Sequence, residues 1–305
     1  MTRYVLKRIG LALLAIIGVS IFVFVAARLS GDVTYLLAGD AATPAELAAI
    51  RHQLGLDQPL WVQYALFLNA LAHGNFGDSI HYHTPVIDLI GQRVAASLEL
   101  TVVAFLTALV FGISLGAAAA LTRGSAFDIA IRGFVAVAQS MPNFWFGLIA
   151  IIVFAVNLGW FPTSGAAVPQ AVVLPALTLA LFPLAAIARV TRSAMLETLG
   201  AEYTRYLRAK GVPYRVIVAK HVLRNALIPI TALAGVQLGF LLGGTVIVES
   251  VFAWPGLGSL MVDAMQSRDY PLIQAGTLLV SILLVFLNLA VDMLFGVIDP
   301  RIRYV

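Results

Sequence analysis

Six cations, Arg205, Arg208, Lys210, Arg215, Lys220 and Arg224, fall within 20 consecutive positions of a chain in which only 11% of residues are charged. Such an excess could meet nucleic acid or acidic lipid, or it could hold a loop on one side of a membrane. Other groups that could do chemistry are sparse. His81 and His83 flank Tyr82 and would share one side of an extended strand, as a metal-binding pair does; with no third ligand nearby the pair is read as no metal site. There is no cysteine, hence no disulfide, thiolate site or cysteine nucleophile. The chain has three lysines and no G-x-x-x-x-G-K-[ST], so it cannot build the phosphate cradle of an ATPase, and H-E-x-x-H and G-x-S-x-G are also missing. It reads as no enzyme, with no cofactor or metal of its own.

The elements that carry the basic run are apolar. Hydrophobic residues make up 61% of the 305 and mean hydropathy is +0.95, values that a water-soluble domain could carry only by exposing large apolar patches. An all-α integral membrane protein follows. Residues 9–27 follow Arg3, Lys7 and Arg8 and are long enough to cross a hydrocarbon core of about 30 Å. They exceed a signal-peptide core of about 7–15 residues and are read as the first span, residues 1–27. Residues 28–95 hold Pro44, Pro59, Pro85 and four of the five histidines, and form a small external domain in which Trp61, Tyr64 and Phe67 stand at helical spacing for packing. Further spans are expected over 97–121, 133–158, 171–187, 226–248 and 272–297, in a core bundle of residues 96–297, with a tail at 298–305. Pro142 predicts a kink in the third, with Gln139, Ser140 and Asn143 as polar groups that could line a path or bond between helices. Small-residue stripes at Gly112, Gly116 and Ala120, and at Gly235, Gly239 and Gly243, predict close helix approach. Asp292 reads as an interface anchor beside Asn288. With both termini cytoplasmic, 15 of the 19 Lys and Arg lie inside and only Arg28, Arg51, Arg93 and Arg268 outside, which accounts for the +4 charge without nucleic acid.

The basic run is itself punctuated. Residues 202–210 have helix-forming composition, Gly211 and Pro213 interrupt them, and a second helical run leads from Tyr214 into the fifth span. A helix, a corner and a helix rooted in two spans could pass a push from a soluble partner into the membrane. The ordered residues Tyr203, Arg205, Arg208, Ala209, Lys210 and Gly211, then Lys220, His221, Leu223, Arg224, Asn225, Ala226, Leu227 and Pro229, resemble the EAA loop of ABC importer permeases. The form is that of the dipeptide, oligopeptide, glutathione and nickel branch of the binding-protein-dependent inner membrane components. Tyr206 and Leu207 depart from it, since that branch has small residues there. Residues 54–64, 74–80, 140–147 and 249–271 also resemble the branch, the last as an external re-entrant segment with a Trp254, Pro255, Gly256 turn; residues 29–33 match its opening signature weakly.

The resemblance implies a type I ABC importer transmembrane domain of six helices in a bacterial inner membrane. Its loop, residues 197–225, would be a coupling element docking on an ATP-hydrolysing subunit through Glu202, Tyr203, Arg205, Arg208, Lys210, Gly211, His221, Arg224, Asn225 and Pro229. Two ATPase subunits binding ATP and Mg, a second permease and a solute-binding protein would complete the assembly. Gln139, Ser140, Pro142, Asn143, Trp254, Pro255 and Gly256 are the candidates for the pathway or external gate. Di- or oligopeptides are the expected cargo, with glutathione or nickel chelates as the alternative. An ion-coupled secondary transporter would need midplane ionisable residues or inverted repeats, and neither is seen.

Overall fold

A computed structural model describes residues 2–29, 34, 43–53 and 55–298 of the chain. The expectations for residues 30–33 and for the 299–304 tail lie outside these residues, as do the side chains of Asn288 and Asp292. The described residues are helical, and they divide into two compact units: residues 1–95 with 260–289, and residues 96–259 with 290–305.

In the first unit, α1 (Thr2–Leu29) is the expected apolar helix. α2 (Pro44–Gln53) starts on a reciprocal capping box, in which Glu46 accepts from the Thr43 N–H at 2.8 Å and from its hydroxyl at 2.9 Å. α3 (Leu60–Ala72) follows Pro59 and packs on α1 through Tyr64 and Phe67, whose ring centroids lie 5.2 and 5.8 Å from that of Phe24. Trp61, the third of that series, is 75% exposed. Residues 79–83 form a turn rather than a strand, with His83 at φ 53°, so the extended backbone that would have aligned the two histidine side chains is not formed. That turn is held by the buried Asp269, which accepts from the Ser79 hydroxyl and from the His81 N–H at 3.1 Å.

α4 (Val86–Leu121) is one continuous helix, so the unit boundary at 95/96 falls inside it. The second unit is built around α7 (Val173–Gly200), which lies between α4, α5 (Ala126–Ser140), α6 (Asn143–Ala150) and α9 (Leu223–Val251). α6 widens into a π-helical stretch, Ile151–Asn157. Pro142 does more than kink the third span. It forces Met141 into extended backbone (φ −87°, ψ 130°) and lacks the N–H to continue the ladder, so α5 and the 143–157 helix meet at 109° as two pieces. α7 outlasts its apolar part, as expected, and carries Arg189, Arg192 and Glu197 in its final turns.

The first glycine stripe works as read. A Cβ on Gly112 would come within 2.9 Å of the Leu184 carbonyl oxygen, and one on Gly116 would strike the Ala188 carbonyl and Thr191. These two glycines let α4 lie backbone to backbone on α7. In the second stripe Gly243 has open space beside it within this chain, which leaves that face for a partner permease, and its neighbour Gly244 is the one that meets α7, at Leu179. Helical phase explains this, because one residue is a 100° rotation.

Among the described residues, four helices are long and apolar enough to span a bilayer, and the bent α5/143–157 pair is a fifth candidate. α10 (Leu257–Gln266) is short, and α11 (Tyr270–Ile298) continues the described chain to its end with a shorter apolar stretch of 17 residues, Tyr270–Phe286.

Candidate functional site

The basic run folds as a helix and a corner. α8 (Glu202–Ala209) follows an extended Ala201, and its inner face is fixed by Thr204, whose buried hydroxyl donates to the Thr198 carbonyl at 2.8 Å. The corner is a Schellman motif: the Val212 N–H donates to the Leu207 carbonyl at 3.2 Å and the Gly211 N–H to the Arg208 carbonyl at 2.9 Å. Gly211 sits at φ +76°, where a side chain would meet nothing within 4 Å, so the requirement for glycine is conformational rather than steric. Leu207 and Val212 both pack on the core of the second unit. Pro213 then starts the one-turn helix Tyr214–Val216, and the chain passes through π-helical Ile217–Val222 into α9.

Around this corner the sequence-predicted residues come together selectively. The Tyr203 hydroxyl accepts from Asn225 Nδ2 at 2.8 Å, tying α8 to the start of α9 across 22 residues. Arg208 lies over the Tyr214 ring at 5.5 Å and Lys210 over the Tyr206 ring at 4.6 Å. Tyr206, which departs from the branch pattern, thus gives Lys210 a local partner. Glu202, Arg205 and Arg224 are exposed, and His221 is half-buried in the π-helical stretch. Pro229 stands exposed inside α9; its missing N–H leaves the Asn225 carbonyl without its usual intrahelical donor. Against the six cations residues 202–229 set one acid, Glu202, so the exposed surface suits an acidic partner.

The opposite end of α9 holds the second cluster. Trp254 is buried and donates from Nε1 to the Ala96 carbonyl at 2.9 Å. Beneath the turn lies Glu249, fully buried, which sequence reasoning treated only as the start of a segment. It accepts from Ser97 Oγ at 2.6 Å and from the Ser259 N–H at 3.0 Å, while Ser97 Oγ accepts from the Leu257 N–H at 2.7 Å. Glu249 therefore caps the first turn of α10 from the last turn of α9, and Ser97 of α4 joins both. Gly256 is obligatory here, since a Cβ would fall on the Glu249 carboxyl, and a Cβ on Gly258 would lie 2.5 Å from Val246 Cα. Pro255 is half-buried above them. One signal could have found Glu249: it is the sole charged residue between Arg224 and Asp263.

Of the remaining candidates, Gln139 accepts from Arg189 Nη1 at 2.9 Å. Ser140 donates to the Ala136 carbonyl, and Pro142 and Asn143 make the break into α6. None of these four bonds to the corner or to the Trp254 turn among the described residues. Sequence reasoning also missed the bond between Asp128 and Arg192, a two-toothed pair at 2.8 and 2.9 Å that fastens the start of α5 to the end of α7.

Residues 112–304 match the family described as binding-protein-dependent transport system inner membrane component, and residues 1–101 match the N-terminal membrane component of such systems. The glutathione transport system permease protein GsiC of Salmonella choleraesuis is 44% identical over 306 residues, with both chains covered completely. The protein of that name from Escherichia coli K12 is 44% identical over 311 residues, again end to end. In fold, the chain resembles the inward-facing MetNI methionine ABC transporter, with a TM-score of 0.56 at 23% identity over 70% of this chain and 97% of that one. It also resembles an amino acid ABC transporter solved with histidines, with a TM-score of 0.52 at 18% identity over 70% and 94% of the two chains. The apolar helical bundle is thus that of type I importer permeases, and the chain belongs to the binding-protein-dependent inner membrane components, the permease subunits of ABC importers.

Proposed function

We propose that this permease forms half of a translocation path for small peptides and is driven through its basic corner by a partner ATPase. The observation that carries the coupling role is the Schellman corner at Gly211, which presents an exposed basic and aromatic face and is rooted at both ends in long apolar helices. Two ATPase subunits, a second permease and a solute-binding protein complete the assembly in this reading, with the corner on the cytoplasmic side and the Trp254 turn outside. Closure of the ATPases on ATP moves α8, and the paired bundles exchange inward-open for outward-open. Gln139, Ser140, Pro142 and Asn143 at the broken span, with Trp254, Pro255 and Gly256, are assigned to the path and its outer gate.

Di- and oligopeptides were the cargo expected from the sequence, with glutathione as an alternative. Relatives 44% identical along their whole length are named for glutathione transport, which moves this tripeptide to first place. The test is reconstitution of the permease with its ATPases and binding protein in vesicles, with uptake of labelled glutathione, a dipeptide and a nickel chelate measured beside ATP hydrolysis. Gly211→Val should leave the complex assembled and ATP hydrolysed while uptake per ATP falls. Unchanged coupling counts against the role of the corner, and uptake without ATP counts against the importer reading itself.

A further inference from the structure

Arg132 and Arg189 bound a stretch of 56 residues, 133–188, that contains no Asp, Glu, Lys, Arg or His. That stretch runs away through α5 and the 143–157 helix and returns through α7. The two arginines are therefore the last charge before the hydrocarbon and the first one after it, at the level where headgroups lie. They also meet in space. Both line a cleft of about 390 Å³ between α5 and α7, together with Arg192, Gln139 and Ser193.

The charges in this cleft do not cancel. Arg192 is committed to Asp128 through both oxygens, and Arg132 touches the same carboxylate only at 3.4 Å. Arg189 donates to the neutral Gln139 and makes no ion pair with a described residue. Three guanidinium groups against one carboxylate leave an excess of two (3 − 1) beside an apolar floor of Ile131, Val135 and Ala188. α5 is a peripheral helix: it buries only Asp128, Ile131, Val135 and Ala138, and turns Phe127, Ile129, Phe134 and Val137 outward. The cleft thus opens beside an apolar exterior.

We propose that it is a binding site for an anionic phospholipid, with Arg132 and Arg189 donating to the phosphate oxygens and the start of an acyl chain lying over the apolar floor. Guanidinium groups suit this task because their planar fork meets two phosphate oxygens at once. Basic pockets between membrane helices hold anionic headgroups in this way. The apolar floor and the headgroup depth select a lipid phosphate over a soluble one. The inference stands apart from the coupling role; of the residues assigned above to the path it uses only Gln139, as the acceptor that holds Arg189.

The experiment places the full-length chain, in the complex it forms in its membrane, in nanodiscs of equal phosphatidylglycerol and phosphatidylcholine. Native mass spectrometry after gentle extraction then counts retained lipid. Phosphatidylglycerol should be retained in preference to phosphatidylcholine, and the double variant Arg132→Gln/Arg189→Gln should lower that retention by about 25-fold, at about fivefold per arginine. Lys220→Gln, at the corner, should leave it unchanged. Equal retention of the two lipids, or the same loss in Lys220→Gln, overturns the site. So does release of the lipid by inorganic phosphate where chloride of equal ionic strength has no effect, since the site would then take a soluble anion. Should the double variant fail to assemble, Arg189→Gln must retain less phosphatidylglycerol than Arg189→Lys, and equal retention again overturns the proposal.

Discussion

Glu249→Ala removes a carboxylate that joins α4, α9 and α10. Its carboxyl is fully buried, and its loss leaves two donors, the Ser97 hydroxyl and the Ser259 N–H, without their acceptor inside the fold. A buried group left unpaired costs about 1–3 kcal/mol, so the pair costs about 2–6 kcal/mol before any void is counted. Ser97 still accepts from the Leu257 N–H, which limits the damage to the first turn of α10. Glu249→Gln keeps the volume and one acceptor, but its NH₂ must face one of the two donors, so it should fall between the parent and Ala. A second substitution isolates the cause. The three atoms nearest a Cβ at Gly256 all belong to the Glu249 carboxyl, so Gly256→Ala should be much less damaging in the Glu249→Ala background, whereas Gly258→Ala meets the Val246 backbone and should gain no comparable relief. Thermal melting of the purified complex gives the energies, and amide exchange at residues 257–259 locates them. An alanine variant with unchanged melting and unchanged exchange at Ser259, or strictly additive costs for Glu249→Ala and Gly256→Ala, refutes the reasoning.

Gly116→Ala should destabilise by about 1–3 kcal/mol in a melting experiment although alanine is the better helix former, because its Cβ must push α4 off the Ala188 carbonyl and Thr191. Gly243→Ala, with open space around it, should leave the melting of the isolated chain unchanged or raise it by up to about 1 kcal/mol. Asp128→Asn should lower the melting temperature more than Arg132→Gln, because it removes the charge and one of the two acceptors that Arg192 grips, while the latter removes only a 3.4 Å contact. The parent chain has no cysteine, so Leu179→Cys/Gly244→Cys allows a crosslink between α7 and α9 by a short, reducible bifunctional thiol reagent, where a Cβ on Gly244 lies 3.3 Å from Leu179 Cδ1. Closing it should stop uptake reversibly, and full uptake with the crosslink formed would mean that α9 does not move against α7.

The elements most legible in the sequence were those governed by local chemistry. Gly211 and Pro213 punctuate the corner because a Schellman turn needs a left-handed residue and a restart, and both requirements are written in residue type. The Gly112 and Gly116 stripe was legible for the same reason, since small residues four apart have little other use in an apolar helix. That Gly244 rather than Gly243 faces α7 was not legible, because composition fixes which faces are small and not which neighbour each face meets. Pro142 signalled a disruption, but a proline kinks some helices and breaks others, and the outcome depends on whether neighbours hold the two pieces in line. Glu249, Asp128 and Ser97 escaped because their partners lie 152, 64 and 160 residues away, at Ser97, Arg192 and Leu257. No local pattern announces such a pair.

α9 connects the two clusters by geometry alone. Its 29 residues rise about 44 Å at about 1.5 Å each, with Asn225 bonded to the α8 corner near one end and Glu249 bonded to Ser97 and Ser259 near the other. In the proposed coupling, a displacement of α8 would reach Asn225 first, through the Tyr203 hydroxyl. Pro229 leaves the Asn225 carbonyl without its donor, so in that reading rotation at the corner would be taken up there while translation along the axis would be passed on. Beyond Pro229 the helix runs unbroken to Val251 and lies on α7 at Gly244, and a rigid rod so placed can slide but cannot easily bend. What it would slide against is the Glu249 contact, two hydrogen bonds in a dry setting. Two such bonds are strong enough to hold one position and few enough to be exchanged for another, as an element that must occupy two states requires.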